Sequence, residues 1–487
     1  MDRSVASESA SLAVYLRSNA SVEAEFEQAL QLVEGKLPAE LRGVLYRNGP
    51  GKMEAFGQRY DHPFDGDGMV TRFEFNGQSV HYRNSYVKTA EYVAEQRAGK
   101  MLYRAFGTNL PGGLRANFLR LHFKNAANTS VAMVGGKLLA LWEGGLPHEL
   151  DPTTLETVGR YDFAGQLHNR ADLLGRLISP ELPFSAHPKM DPKSGELHNF
   201  GTLMGSVSKL VLYRVRRNGT MATPRFVPLP ALAFVHDFVL TENYSVFFLS
   251  AVSFGVARAL CGLATPVGSL TGAESAPATV LLVPRDGSAP ISVPAQPGFL
   301  FHFANGFEDE RGRVVLDGMR MDALPTAAEV RELLAGNVVA IPPARPTRYV
   351  IDPATRHCEE SQLSETKADL PTIDPRHTGL PYRHFWSIAS TPEQTGPFYH
   401  CLLHFDHQRG AALRDFGLDL PGEPLFVPAP DGAAEGEGWI LSLVYRAGEH
   451  RTDLYVLRPA DLGTVCRLEL PHHLPSGFHG TWQSASH

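Results

Sequence analysis

The sequence predicts an all-β protein built as a propeller, and three observations carry that prediction. Short apolar runs recur, each as long as a strand and closed by turn residues; a strand-turn-strand unit repeats along the chain; and helical periodicity is confined to two segments. The runs, in order, are "KLLALWEGG" at 137, "SKLVLYRVRRNGT" at 208, "AFVHDFVLTENYSVFFLS" at 233, "TVLLVPRDGS" at 279, "RVVLDGMRMD" at 313 and "WILSLVYRAGEHRTDLYVL" at 439. Val, Leu, Phe and Tyr dominate them, residues that fit a pleated surface, and Gly, Asp, Asn or Pro follows each.

The repeating unit reads "ELDPTTLETVG" at 149, "KMDPKSGELHNFG" at 189, "YRVRRNGTMATPRFV" at 213, "VPRDGSAPISVPA" at 283, "YVIDPATRHCEESQL" at 349 and "YVLRPADLGTVCRLEL" at 455. Such hairpins suit the outer strands of propeller blades. Their spacing is irregular and lacks the signatures of the common blade repeats, so a pair of β-sandwiches is the competing architecture. Helical spacing in "SVEAEFEQALQLVEG" at 21–35 and "LPTAAEVRELLAG" at 324–336 predicts short decorations. Residues 1–34 are expected to form an N-terminal extension with a short helix, and residues 35–487 a single propeller domain.

Composition narrows the function. A chain of 487 residues with 45 basic and 52 acidic side chains carries a net charge of -7, without the basic stripe that nucleic acid needs. Cys261, Cys358, Cys401 and Cys466 lie far apart with no CxxC, which suggests neither a zinc knuckle nor a secreted disulfide framework and predicts buried thiols. The apolar stretch before Arg17 is too short for a signal-peptide core, so a cytoplasmic protein is expected. Residues 246–270, "VFFLSAVSFGVARALCGLATPVGSL", are long enough to span a bilayer, but Arg258 sits mid-stretch among Gly255, Gly262, Pro266 and Gly268. A central Arg costs about 2.5 to 3.5 kcal/mol even on a lenient insertion scale. Two readings remain for this stretch: a core strand followed by a buried helix, or an apolar surface patch that dips into a membrane.

Of twenty histidines, four stand in an apolar or tight-turn context at a strand end: His187 in "PFSAHPKMD", His236 in "LAFVHDFVL", His302 in "FLFHFANGF" and His479 in "SGFHGTW". His62, His148, His377 and His407 sit in polar turns. No HExxH or paired HxH links the four, yet a propeller can converge distant residues because each blade's inner strand lines one axis. Spacing alone leaves open whether they share a metal or each bonds a backbone carbonyl.

"RGVLYRNGPG" at 42–51, "HPFDGDGMVTRFEF" at 62–75, "LLALWEGGLPHELDP" at 138–152, "SAHPKMDP" at 185–192, "FVHDFVLTENY" at 234–244, "GFLFHFANGFE" at 298–308, "GEPLFVPAP" at 422–430 and "HGTW" at 479–482 resemble, in that order, the carotenoid cleavage oxygenases. The resemblance runs from about residue 35 to the C-terminus, and "EYVAEQRAGKMLYRAFGT" at 91–108 is similar to the bacterial apocarotenoid 15,15'-oxygenase branch. It implies a seven-bladed propeller under a helical and loop dome, holding one non-haem Fe(II) per chain on His187, His236, His302 and His479. It also implies carboxylates behind the imidazoles: Glu143 pairing with His236, Asp369 with His302 and Glu423 with His479. Asp369 departs from the family's Glu, and a side chain one methylene shorter must draw the backbone in or bridge by water.

Four neutral imidazoles leave a ferrous ion its full charge and open positions for dioxygen, and splitting a C=C bond into two carbonyls needs redox chemistry that zinc lacks. An apolar polyene or aromatic alkene offers mostly π surface, so the substrate path should be apolar. Phe64, Trp142 and Phe234 are candidates for its lining, with core packing the competing reading, and Thr129 matches a position near the iron in relatives. The aspartates of "FDGDGMV" are expected to shape a turn.

The leading expectation is a dioxygenase that cleaves an apocarotenoid at the 15,15' bond to retinal-type aldehydes. The alternative keeps the iron and takes a stilbene or phenylpropenoid, of the lignostilbene or isoeugenol type, to aromatic aldehydes. Such relatives use Tyr and Lys to hold a phenol, and no matching pair is placed here. A propeller that has lost its metal and serves as a binding scaffold is a third reading, opposed by intact His at all four positions.

Overall fold

In the computed structural model of the chain, described for residues 3–485 except 121, 171–175, 177–178, 204–206, 230–232, 273–274, 395 and 431–432, seven sheets of four to six antiparallel strands ring one axis. The first blade runs outward through Gly480–Ser484, Arg42–Pro50, Gly68–Asn76, Val80–Tyr86 and Glu27–Ala29. The second to sixth blades are sequential, with inner strands Ser130–Val134, Lys189–Met190, Val239–Leu240, Phe299–Glu308 and Ala368–Ile373. The seventh places Leu425–Pro428 inside and Gln31–Gly35 outermost, against Thr464–Glu469. Strands from both ends of the chain therefore close the ring.

Each of the seven junctions between blades holds its own apolar cluster, which explains why the strands read as unbroken apolar runs. In Ala278–Pro284, Leu281 and Val283 face the third blade while Val280 and Leu282 face the fifth. Successive side chains point to opposite faces, so a blade buried on both sides needs apolar residues at every position. Polar ties cross the junctions too: Arg285 of the fourth blade reaches Asp191 of the third at 2.6 Å, and Arg414 of the sixth reaches Thr464 of the seventh at 2.8 Å.

All six hairpins read from the sequence form, and the helix Ala327–Leu334 forms with Thr326 and Glu329 completing a capping box. The helix expected at 21–35 does not. The N-terminal helix is Arg3–Ser18, whereas Glu27–Ala29 and Gln31–Gly35 are strands. Val22, Phe26 and Leu30 have helical spacing, but open sheet edges in the first and seventh blades supply partners that override it. The propeller's sheets thus take in chain ahead of residue 35.

In the stretch 246–270, the strand Tyr244–Leu249 enters the core, followed by a ribbon of Val252–Phe254 with Leu270–Gly272 and a short helix, Val256–Leu260. The strand of the first reading is in the core, while the helix that follows is short and exposes Ala257 and Arg258; among the described residues no helix is long and apolar enough to cross a membrane. Leu263 is 65% exposed, beside a loop where Leu114, Phe118 and Leu119 are also exposed; the Leu119 N–H donates to the Leu260 carbonyl at 3.1 Å. Of the cysteines, Cys401 and Cys466 are buried as expected, while Cys261 and Cys358 are only partly covered.

Candidate metal centre

His187, His236 and His479 stand just before the inner strands of the third, fourth and first blades, and His302 lies within that of the fifth. Blade geometry aims these positions at the axis, and one ring nitrogen from each of the four lies within 4.8 Å of all the others. Among the described residues this is the one group of His, Cys, Asp or Glu placed to share an ion. His187 Nε2 and His236 Nε2 are 2.9 Å apart, about the spacing of neighbouring ligands on one first-row ion. His302 Nε2 is buried without a hydrogen-bond partner. Two imidazole nitrogens in contact and a third left bare fit a cation at their centre.

The carboxylates come from the remaining blades. Asp369 Oδ1 of the sixth blade is 2.7 Å from His302 Nδ1, and Glu423 Oε1 of the seventh is 2.7 Å from His479 Nδ1. An ionised carboxylate only accepts, so Nδ1 carries the proton and Nε2 keeps a free lone pair. Glu143 Oε1 of the second blade stands 3.4 Å from His236 Nδ1, longer than a hydrogen bond, and has no hydrogen-bond partner of its own. Asp369 reaches its histidine directly: the strand slips register between Asp369 and Thr372, and Leu370 turns into the left-handed region at φ 51°. The direct contact needs no bridging water.

Burial, reinforced by the neighbouring imidazoles, pushes His187 and His236 well below the usual histidine range. Burial also lowers His479, against the pull of Glu423. For His302 burial opposes the charge, but Asp369 outweighs it and raises the pKa. Burial lifts the Glu143 carboxyl well above the usual range. Burial works against the charge of Glu423 as well, yet Arg47 and His479 hold its pKa down. Arg47 was not foreseen. Its guanidinium pairs with Glu423 Oε2 and donates to the Phe478 carbonyl at 3.1 Å, and only its place in "YRNGPG" beside the motif glycines signals it.

A cavity of about 1810 Å³ opens over the histidines, and Phe64, Thr129, Trp142 and Phe234 all line it. Phe478, Phe64, Phe106, Phe234 and Phe301 follow one another at centroid separations of 5.3, 6.3, 6.5 and 6.1 Å, and Phe301 meets His236 at 4.9 Å. Phe106, Phe301 and Phe478 were missed, although two of them adjoin candidate ligands in sequence. Trp142 packs on its own motif: a Cβ at Gly144 would lie 2.9 Å from the indole. Thr129 accepts the His479 N–H on its carbonyl at 3.1 Å and donates its hydroxyl to Asn128 at 3.1 Å.

The "FDGDG" aspartates stand apart from the histidines. Asp65 accepts from the Gly107 N–H and the Thr108 hydroxyl, and burial raises its pKa to about 6. Asp67 pairs with the buried Lys124 at 2.7 Å. Two histidines assigned to polar turns are buried instead: His62 caps a short turn of helix, and His148, 1% exposed, sits in a strand with both ring nitrogens unpaired.

A seven-bladed propeller whose axis carries four buried histidines, two of them hydrogen-bonded to carboxylates, under an aromatic cavity defines a class of candidate metal-dependent enzymes. Residues 19–484 match the family model described as retinal pigment epithelial membrane protein. The chain is 36% identical over 480 residues to apocarotenoid-15,15'-oxygenase of Synechocystis sp., covering 96% of each. It is 30% identical to lignostilbene-alpha,beta-dioxygenase isozyme III of Sphingomonas paucimobilis, over 93% of each chain. The crystal structure of the cobalt-substituted Synechocystis oxygenase superposes with a TM-score of 0.91 at 35% identity, over 97% of this chain and 99% of that one. The chain belongs to the carotenoid cleavage oxygenase family, and it is an oxygenase of that type.

Proposed function

We propose that the protein uses dioxygen to cleave the 15,15' double bond of an apocarotenoid, yielding two carbonyl products of which one is a retinal-type aldehyde. The observation that carries this reading is the cluster of four buried histidines with ring nitrogens within 4.8 Å of one another, beneath an aromatic wall. His187, His236, His302 and His479 would hold one Fe(II), which supplies the redox chemistry that dioxygen activation requires.

The chain's own residues do the rest. Asp369 and Glu423 fix the His302 and His479 rings with Nε2 inward, and Arg47 keeps Glu423 ionised and in place. Phe64, Phe106, Phe234 and Phe301 present ring faces and edges against which a polyene packs without hydrogen bonds. Their apolar surface keeps bulk water from the reacting carbons. The Thr129 hydroxyl is engaged by Asn128, so it offers the reacting groups no free donor. Leu263, which lines the cavity while 65% exposed, and the exposed Leu114, Phe118 and Leu119 nearby support peripheral contact with a membrane that stores apolar substrate.

The second reading takes a stilbene or phenylpropenoid through the same centre; the 30% identity to the lignostilbene dioxygenase favours keeping it. Iron-loaded protein incubated with 8'-apo-β-carotenal, and separately with a hydroxystilbene and with isoeugenol, separates the two by product mass. Retinal from the first supports the apocarotenoid reading. Aromatic aldehydes from the others alone replace it with the second.

A further inference from the structure

Asp369, Glu423 and Glu143 face the Nδ1 atoms of three histidines, which leaves His187. The carboxylate beside His187 Nδ1 is Asp237, whose Oδ1 stands 3.9 Å away. We infer that Asp237 is a fourth positioning carboxylate, one that orients the His187 ring and holds three ligand-bearing segments in a single register. The inference rests on the reading of the four histidines as metal ligands.

Asp237 follows His236 directly, so its backbone moves with that ligand. Its Oδ1 accepts from Lys189 Nζ at 2.8 Å, and Lys189 opens the inner strand two residues after His187. Its Oδ2 accepts the N–H of Phe303, the residue after His302, at 3.1 Å. The Phe238 N–H closes a local bond to Oδ1 at 2.8 Å. One side chain, 3% exposed, thus ties together the third, fourth and fifth blades at the level of the ligands. A buried carboxylate persists only when its charge is met, and here one ammonium and two amides meet it. Its Oδ1 nevertheless stands 3.9 Å from the Nδ1 of the one candidate ligand that Asp369, Glu423 and Glu143 do not face. Imidazole bound through Nε2 becomes positive at Nδ1–H, where a nearby carboxylate raises ligand basicity and resists ring rotation.

The test uses full-length protein loaded with cobalt(II), read by its visible absorption and by the rate at which a chelator strips the metal. Asp237→Asn preserves shape while removing the charge and one acceptor. It is expected to shift the cobalt spectrum and to speed cobalt loss roughly 10-fold or more. In a His187→Ala background the same substitution is expected to change the rate less than about twofold, because the ring through which it acts is gone. An unchanged spectrum and rate in Asp237→Asn, or an equal acceleration in both backgrounds, overturns the inference; the latter marks a merely structural residue. If Asp237→Asn does not fold, Asp237→Glu keeps the charge that Lys189 and the two amides meet but moves the carboxylate by one methylene, and acceleration only with His187 present supports the same conclusion, whereas no acceleration overturns it. Wild-type protein that takes up no metal would instead overturn the metal-centre reading on which the inference rests.

Discussion

Arg47 and Glu423 form a buried ion pair at the edge of the metal centre, their side chains 6% and 10% exposed, and Glu423 gives its other oxygen to His479. Removing one partner strands the other's charge away from water, so Arg47→Met should lower unfolding free energy by about 3 to 5 kcal/mol, measured by urea titration. A loss below about 1 kcal/mol would mean that Glu423 is neutral in the fold. A pH effect also belongs to single residues. Burial depresses His148, His198 and His472 to about 4, against 6.5 for free histidine. Between those values the unfolded chain binds protons that the fold refuses, so stability falls as pH drops from 6.5 towards 4. The urea midpoint should therefore fall from pH 7 to pH 5, and fall less in His148→Phe. Equal falls would clear His148 of the effect. The four histidines stood out because each imidazole interrupts an apolar or tightly turned stretch, and the family resemblance supplied their expected role as ligands. Arg47 was not, since its partner lies 376 residues away and its place beside the motif glycines does not say what it pairs with.

Hairpins show what an element-level reading can reach. "DPTTL", "DPKSG", "DPATR" and "RPADL" end on Leu155, Gly195, Arg356 and Leu462, all with positive φ, so one turn geometry recurs in four blades. In three of them the leading Asp accepts backbone N–H groups two and three residues on, which is why Asp opens the turn. Arg356, exposed with φ 56°, gains nothing from its side chain there. Arg356→Gly should raise stability by about 0.5 to 1 kcal/mol, seen as a higher melting temperature; a lower one would mean that the turn tolerates the strain. The apolar patch is a second case. Its composition was visible in the sequence, but its exposure was not, because burial depends on the loop carrying Leu119 meeting the helix carrying Leu260. Replacing Leu260 and Leu263 with Ser should reduce liposome binding without lowering activity on detergent-dispersed substrate, and unchanged binding would remove the membrane proposal. The misplaced helix at 21–35 is the opposite lesson: its periodicity was real, and sheet edges far away in sequence decided its structure.

At the scale of the whole molecule, the propeller was legible as repeated strands, yet the closure was not, because it joins segments from the two ends of the chain. Candidate ligands and their carboxylates distributed over all seven blades would make metal binding a property of the closed ring. Ligand that binds only the closed state stabilises it by about 2.7 kcal/mol at 100 times its dissociation constant. Metal-loaded protein should therefore melt higher than chelated protein, by an amount that grows with free metal; identical melting curves would detach the centre from the fold. The seam adds a matter of timing. Arg47 and His479 lie on one side of it and Glu423 on the other, and His479 follows the other three histidines in chain order. A growing polypeptide can fold its middle blades early, but the fourth imidazole joins the set only when Gly480–Ser484 docks beside Arg42–Pro50. The set of four imidazoles is thus completed only by that docking, and an ion held by all four would report that the circle has shut.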